Sequence, residues 1–363
     1  MPSVGAAGTV DQRSATTSPR FAAGLERNLV VLIIVFATAQ ALLWSLVRLP
    51  GDGGPDEASH VRVLLAMRAQ GGFARFEGYP PGAFRGGPVR AQVAYELTPD
   101  VFAVPVAATL ALLGSPDYAF NVHVARLFNV TLLPLTLWLA YLALRRLFPN
   151  GQLERVWGLA FMSAIPMFVL AFAIVTNDSP TIAASTFGVY AALRAWQEDF
   201  RRRDVALLGV ALGLVALHKY NGFLILPGTA ALVIARLWRA PRRLVTVGGA
   251  LALLVAAIAG WWYVRAQLVY GDALGIATTQ RAVDASGGAP VPPRTRGLSL
   301  VQFVQDTNWI GENFATFWAG YGLQKLKLPG AAYLGLSALV AAAGLGLALR
   351  VGRGAARRPF GGP

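Results

Sequence analysis

The stretch "LVVLIIVFATAQALLWSLV", residues 29–47, contains no charged side chain and lies between Arg27 and Arg48. Its length is that of a helix that crosses the hydrocarbon core of a bilayer. It is too long for the apolar part of a cleaved signal peptide, and no small-x-small cleavage pattern follows it. This stretch therefore predicts an anchor helix that stays in the membrane.

Seven further uncharged runs follow along the chain and share this apolar composition. They comprise residues 127–144, 156–177, 179–193, 205–218, 220–235, 244–264 and 328–349. Three short runs in the middle either depend on snorkelling end residues or line a cavity. Together with the first stretch, these runs predict an all-α polytopic membrane protein, a bundle of about eight transmembrane helices.

The net charge of +14 comes largely from short basic clusters between the apolar runs. A nucleic-acid partner would also suit this charge, but basic residues in short connections are typical of membrane orientation, so we expect no nucleic acid. The clusters fall in residues 145–155, 194–203 and 236–243 and predict that these connections face the cytoplasm. Both termini are then cytoplasmic, with a disordered tail over residues 1–28 and a basic tail over residues 351–363.

Two long segments, residues 50–121 and 265–327, are expected on the extracytoplasmic side. In the first, we interpret the apolar run at residues 101–116 as a juxtamembrane helix, because a ninth span there would reverse the sidedness of every basic cluster. The second begins with a Gly- and Pro-rich part typical of a mobile loop. Its later part has bulky apolar residues at helical spacing, namely Phe303, Ile310, Phe314, Phe317, Trp318 and Tyr321. They indicate an amphipathic helix at the outer interface or, equally, a simple aromatic belt.

The first outer segment begins with "PDEASH", residues 55–60. Pro55 suits the first turn of a helix, where a positive helix end favours the carboxylates of Asp56 and Glu57. His60 follows at helical spacing, so the three polar side chains can share one face. The pattern fits a functional site, and it also fits an ordinary acidic helix start with a solvated histidine.

Other polar residues are expected at the same outer boundary. Asp178 interrupts an apolar stretch in "TNDSP", a sequence that also suits a plain turn between helices. His218 and Lys219 lie where one run ends and the next begins, and the lysine is either a phosphate ligand or a snorkelling side chain. Arg126 and Arg265 lie at outer helix ends, where guanidinium groups bind phosphate or anchor the helix. The chain has no cysteine, which excludes thiolate chemistry and disulfides.

Six segments, taken in order, resemble the GT-C superfamily of polytopic glycosyltransferases that use lipid-phosphate sugars. They are "PDEASHVRVLLAMRAQGG", "VARLFNVTLLPLTLWLAYLALRRLFP", "AIPMFVLAFAIVTNDSP", "ALHKYNGFLILP", "WWYVRAQLVYGDALG" and "FATFWAGYG". The likeness extends over residues 29–350 and is greatest to bacterial protein-mannosyltransferase-like and related membrane families. The chain departs from them in having "YELTPDVFAVP" before the second span and in lacking a large C-terminal soluble domain, so it is a compact member or an incomplete one.

The resemblance implies a GT-C-like fold with extracytoplasmic juxtamembrane helices and an acidic pair in the first outer loop. It makes Asp56 the catalytic carboxylate and Glu57 its neighbour in an acceptor or metal site. It makes Asp178 the acidic residue of the second loop. The candidates for the donor phosphate are then Arg126, Lys219 and Arg265.

These expectations combine into a reaction at the outer face of a bacterial cytoplasmic membrane. A sugar moves from a polyprenyl-phosphate donor to the hydroxyl of a glycan, lipid or protein acceptor, with inversion and with Asp56 as base. His60 and His218, with the nearby carboxylates, are candidates for an acceptor site or for a divalent ion such as Mg, Mn or Ca. The alternative is a non-catalytic transporter or assembly subunit for lipid-linked glycans, which the absence of an evident internal repeat disfavours.

Overall fold

The computed structural model describes residues 19–51, 53–75, 98–278, 298–306, 308–320 and 327–356, which form helices and contain no strand. The helices are α1 Pro19–Leu43, α2 Glu57–Gln70, α3 Ala103–Leu113, α4 Tyr118–Leu147, α5 Gln152–Ala164, α6 Pro166–Ala173, α7 Asp178–Gln197, α8 Arg202–Ala216, α9 Ile225–Leu237, α10 Pro241–Tyr270, α11 Leu300–Asp306, α12 Trp309–Trp318 and α13 Gly330–Ala356. A π-helical turn, Trp44–Arg48, continues α1, and a 3-10 turn, Tyr220–Leu224, precedes α9. The prediction of an all-α membrane protein is confirmed.

Five of the described helices are long and apolar enough to cross a membrane. They are Ala23–Arg48, Tyr118–Leu147, Tyr220–Leu237, Pro241–Tyr270 and Gly330–Leu349. A sixth crossing results if α5 and α6, which meet at a 62° bend, form one broken span. The predicted spans at residues 179–193 and 205–218 coincide with α7 and α8, which do not meet the same criteria, so the count of eight spans stays a prediction.

The predicted disordered tail at residues 1–28 needs a correction, because α1 already begins at Pro19. Glu26 accounts for this early start. Its carboxylate accepts hydrogen bonds from Arg155 of α5, at 2.7 and 2.6 Å, and from the Tyr141 hydroxyl of α4, at 2.9 Å. These bonds fix the first turns of α1 against the bundle. Residues 1–18 and 357–363 lie outside the described part of the chain.

The bundle packs around two groups of buried apolar side chains. One joins α1, α4, α5 and α6 through residues that include Ala37, Leu133 and Phe172. In the other, α7, α8 and α10 approach closely because small residues line their contact. A Cβ atom at Gly209 of α8 would lie 2.5 Å from Leu254 of α10, a distance that only glycine allows. This packing holds the middle of α8 against α10.

The two segments that are predicted to lie outside the membrane add short helices to one end of the bundle. Helices α2 and α3 pack on each other and on α4 through a core that includes Val61, Leu110 and Val122. The aromatic stretch forms α11 and α12 rather than one helix, and Trp318 packs edge-on against Phe161 of α5. Tyr321, which was predicted to share this face, lies outside the described residues.

Candidate functional site

Glu57 is a buried anchor at the start of α2. Its side chain is fully buried, and so is that of its partner Arg126 on α4. One carboxylate oxygen accepts from Arg126 Nε at 2.7 Å and from the Val175 amide at 2.8 Å. The other accepts from Arg126 Nη2 at 2.7 Å and from the Gly54 amide at 3.1 Å. With four donors around it, the carboxylate joins α2, α4 and the turn before α7.

Arg126 has no N–H group left for a ligand. Besides its two bonds to Glu57, its Nη1 donates to the carbonyl oxygens of Ser45 and Leu49, both at 2.9 Å. Its Nη2 also donates to the carbonyl oxygen of Pro50 at 2.7 Å. A guanidinium has five N–H donors, and all five are used. The predicted roles of Arg126 at the donor phosphate and of Glu57 at an acceptor or metal site are therefore corrected to a structural role, since this buried pair satisfies itself.

Asp56 differs from its neighbour in environment. It is exposed and precedes the first residue of α2. Its backbone is in the left-handed region at φ 58° and ψ 3°, which aspartate tolerates better than most residues. Glu57 follows Asp56 and is held by its hydrogen bonds to Arg126. These bonds therefore help to keep the backbone of Asp56 in its left-handed conformation. The sequence pair therefore divides into one buried structural carboxylate and one accessible carboxylate.

Asp178 and Lys219 form an ion pair across two inter-helix turns. The Lys219 ammonium lies 2.7 Å from a carboxylate oxygen of Asp178, and both side chains are partly exposed. The other oxygen accepts a hydrogen bond from the Thr176 hydroxyl at 3.3 Å. The structure thus brings together a predicted acidic residue and a predicted phosphate ligand, at the start of α7 and just after α8.

His60 lies at the centre of these charged groups. Burial lowers the pKa of His60 to about 4, and this effect exceeds the opposing influence of the carboxylates of Asp100, Asp178 and Asp56, while the Lys219 charge adds to the lowering. At neutral pH the imidazole is therefore uncharged. The charges of these carboxylates and of the lysine therefore all act on one histidine.

Asp100 is a site residue that the sequence analysis did not identify. One of its carboxylate oxygens lies 3.6 Å from His218 Nδ1, and neither atom has a hydrogen-bond partner among the described residues. The available signal was an acidic residue in "TPD" immediately before the apolar run of α3, at the same boundary as Asp56 and Asp178. His218 thus lies beside a carboxylate, as a metal or acceptor site would require.

Arg265 lies near the outer end of α10 and packs on aromatic rings. Its guanidinium carbon is 5.1 Å from the ring centre of Trp262 and 5.6 Å from that of Phe73. Its Nη1 atom is buried and has no hydrogen-bond partner in the described part of the chain. Arg265 therefore keeps a donor available for an anion, unlike Arg126.

The metal-binding prediction has little support in the geometry. No three His, Asp or Glu side chains of the described residues are grouped so that they could hold a metal ion. The predicted Mg, Mn or Ca ion stays a prediction, and no step below depends on it.

Part of the chain is similar to proteins of a known family. The family model of dolichyl-phosphate-mannose-protein mannosyltransferases matches residues 99–262, which include Asp100 and Trp262 but not Asp56. No curated protein sequence matches the chain.

The chain is also similar to a solved structure, that of the S. cerevisiae protein O-mannosyltransferase Pmt1-Pmt2 complex bound to the sugar donor. The identity is 17%, the TM-score is 0.46, and the match covers 69% of this chain. This chain spans only about a third of that protein, since the match covers 34% of it. Over residues 99–262, which are less than half of the chain, this protein of apolar membrane-length helices is therefore similar to the dolichyl-phosphate-mannose-protein mannosyltransferases.

Proposed function

We propose that this protein transfers a sugar from a polyprenyl-phosphate donor to an acceptor hydroxyl at the extracytoplasmic face of the membrane. The observation that carries this proposal is the Asp178–Lys219 ion pair at 2.7 Å, close enough to the start of α2 for its charges and that of Asp56 to act on the same histidine, His60. A donor of this kind places its reactive carbon at the membrane boundary. Carboxylates and cations at that boundary meet both requirements of the reaction, a base and a binding site for phosphate.

Asp56 is the proposed base because its side chain is exposed to an acceptor, whereas that of Glu57 is fully buried against Arg126. The acceptor oxygen bonds to the anomeric carbon as the bond from that carbon to the phosphate oxygen breaks. The acceptor proton moves to the Asp56 carboxylate, and the bonding electron pair leaves with polyprenyl phosphate. Attack on the side opposite the leaving group inverts the configuration at the anomeric carbon.

Lys219 and Arg265 are the proposed cations for the leaving group. A phosphate that approaches Lys219 competes with the partly exposed carboxylate of Asp178 for the same ammonium. Arg265 offers its unpartnered Nη1 donor, held in place by the rings of Trp262 and Phe73. Charge that builds on the phosphate oxygens during bond cleavage is stabilised by both groups.

The test is turnover of a panel of polyprenyl-phosphate sugars by the purified full chain in lipid, with released polyprenyl phosphate as the readout. We expect Asp56→Asn to lower turnover at least about 100-fold, the usual contribution of a general base. Asparagine keeps the size of the side chain and tolerates a left-handed backbone, so the fold should survive. Asp117→Asn is the matched control, since Asp117 is also an exposed aspartate preceding a helix, α4.

Two results would refute the proposal. One is undiminished turnover by Asp56→Asn. The other is a folded wild-type protein that turns over no donor in the panel, and this result would favour the transporter or assembly-subunit alternative.

A further inference from the structure

A pocket lined by polar and aromatic residues lies between α2, α3, α4, α10 and the turn before α7. We name it the polar pocket, and its polar and aromatic lining includes His60, Thr98, Asp100, Thr176, Asn177 and Trp262. Asp56 precedes His60 by one helical turn, and Asp178 follows Asn177 in sequence. The polar pocket therefore adjoins both accessible carboxylates of the proposed reaction.

Three buried polar atoms in this lining have no hydrogen-bond partner among the described residues. They are one carboxylate oxygen of Asp100, the amide oxygen of Asn177 and Nε1 of Trp262. Asn177 is only 1% exposed and Trp262 only 3%, so bulk water does not replace the missing partners. Buried polar atoms are nearly always paired, which makes three in one pocket a binding signal.

The chemistry of these atoms selects the ligand class. An anion would be repelled by the carboxylate of Asp100, and a bare cation would leave the indole N–H of Trp262 without an acceptor. A hydroxyl group both donates and accepts, so a polyol satisfies all three atoms. The indole of Trp262, packed edge-on against Phe73 at 5.1 Å, adds an apolar surface of the kind that ligand pockets combine with a few polar groups.

The position of Arg265 indicates how a ligand that carries both a phosphate and a polyol would be oriented. Its guanidinium packs on the Trp262 ring that lines the polar pocket, and its buried Nη1 atom also lacks a partner among the described residues. A phosphate at Arg265 would lie next to a polyol on Trp262. In a lipid-phosphate sugar, the phosphate and the sugar ring are joined directly.

We infer that the polar pocket binds the hexopyranose ring of the lipid-linked donor, with hydroxyls donating to Asp100 and Asn177 and accepting from Trp262. This inference rests on the proposed function and assigns its donor-sugar site. The enclosed part of the pocket offers about 40 Å³ to the centres of water molecules, room for about three of them. The ring therefore fills this enclosed part and extends into the mouth of the pocket.

The experiment measures affinity rather than turnover. The full chain in lipid nanodiscs is titrated with a polyprenyl-phosphate hexose and with the same polyprenyl phosphate without sugar. We expect the wild type to prefer the glycosylated lipid. Asp100→Asn and Trp262→Phe should each reduce that preference about fivefold to tenfold, the effect of one lost hydrogen bond. Because phenylalanine keeps an aromatic ring beside Arg265, the affinity of both variants for the bare lipid should stay within about twofold.

Trp318→Phe is the matched control, because Trp318 is also buried with an unpartnered Nε1 atom but does not line the polar pocket. Asn177→Ala is a third variant in case one of the others fails to fold. A wild type without preference for the glycosylated lipid overturns the inference. Variants that weaken both lipids equally overturn it too.

The affinity readout separates this inference from the proposed function. A wild type that prefers the glycosylated lipid through Asp100 and Trp262, yet turns over no donor, refutes the proposed function and supports the sugar site. A wild type that turns over the donor while both variants keep full preference refutes the sugar site alone.

Discussion

Replacing Glu57 by glutamine tests whether the buried Glu57–Arg126 pair holds the outer segment to the bundle. Each carboxylate oxygen of Glu57 accepts two N–H groups. Whichever oxygen becomes the amide nitrogen, the new NH2 group faces two donors, and the charge of Arg126 stays buried without its counter-ion. Removing one partner of such a pair typically costs about 3–5 kcal/mol of unfolding free energy.

A control is Glu198, which is 27% exposed and pairs with Arg146, 29% exposed, and with Arg201, 61% exposed. Water screens these pairs, so Glu198→Gln should cost no more than about 1 kcal/mol. Unfolding of both variants and of the wild type in mixed micelles, followed by circular dichroism, gives the two differences. Equal losses in the two variants would refute the reasoning.

A double variant isolates the pairwise contribution. Glu57→Gln combined with Arg126→Gln removes both charges, so its loss of stability should be smaller than the sum of the two single losses. Arg126→Lys keeps the positive charge but lacks the five N–H donors of the planar guanidinium. Its loss of unfolding free energy should be nearly as large as that of Glu57→Gln. Strict additivity in the double variant would mean that the two residues act independently.

Three other predictions concern pH, packing and the phosphate. Burial lowers the pKa of His60 from its usual 6.5 to about 4. The free energy of unfolding therefore includes the full contribution of the neutral His60 side chain above pH 6.5, and this contribution is lost as the pH falls towards 4. His60→Gln should flatten the pH profile of unfolding in that window, and an unchanged profile would contradict the assignment. Gly209→Ala should lower the free energy of unfolding by about 1–3 kcal/mol, because the added methyl group meets Leu254. Gly248→Ala on α10 has open space around it and should be neutral or stabilising. Equal melting temperatures of the two variants would contradict this reasoning. Lys219→Met should weaken binding of bare polyprenyl phosphate about tenfold in a titration, and unchanged affinity would remove Lys219 from the phosphate site.

The predicted apolar runs correspond to helices because hydrophobic length is a local property of the sequence. Each run coincides with a described helix or with the bent pair α5 and α6. The early start of α1 was missed because it depends on Arg155, which lies 129 residues after its partner Glu26. Local pattern carries no information about such a contact.

The candidate site was predictable in part, because the ends of the apolar runs are also a local property of the sequence. The outer boundary of the spans gave the right neighbourhood for Asp178 and Lys219, and these residues do pair. Spacing alone could not decide which of the adjacent Asp56 and Glu57 turns inward. That choice follows from Arg126, 69 residues away, whose five donors need a buried carboxylate and three carbonyl oxygens.

The Glu57–Arg126 anchor also limits the path by which a lipid substrate reaches the site. The anchor joins the end of α1, the start of α2, the outer part of α4 and the turn at Val175. Parting α1 from α4 to admit a polyprenyl chain would expose both charges to lipid. The anchor therefore opposes lateral entry between these two helices, so the proposed donor would reach Asp56 from another flank of the bundle.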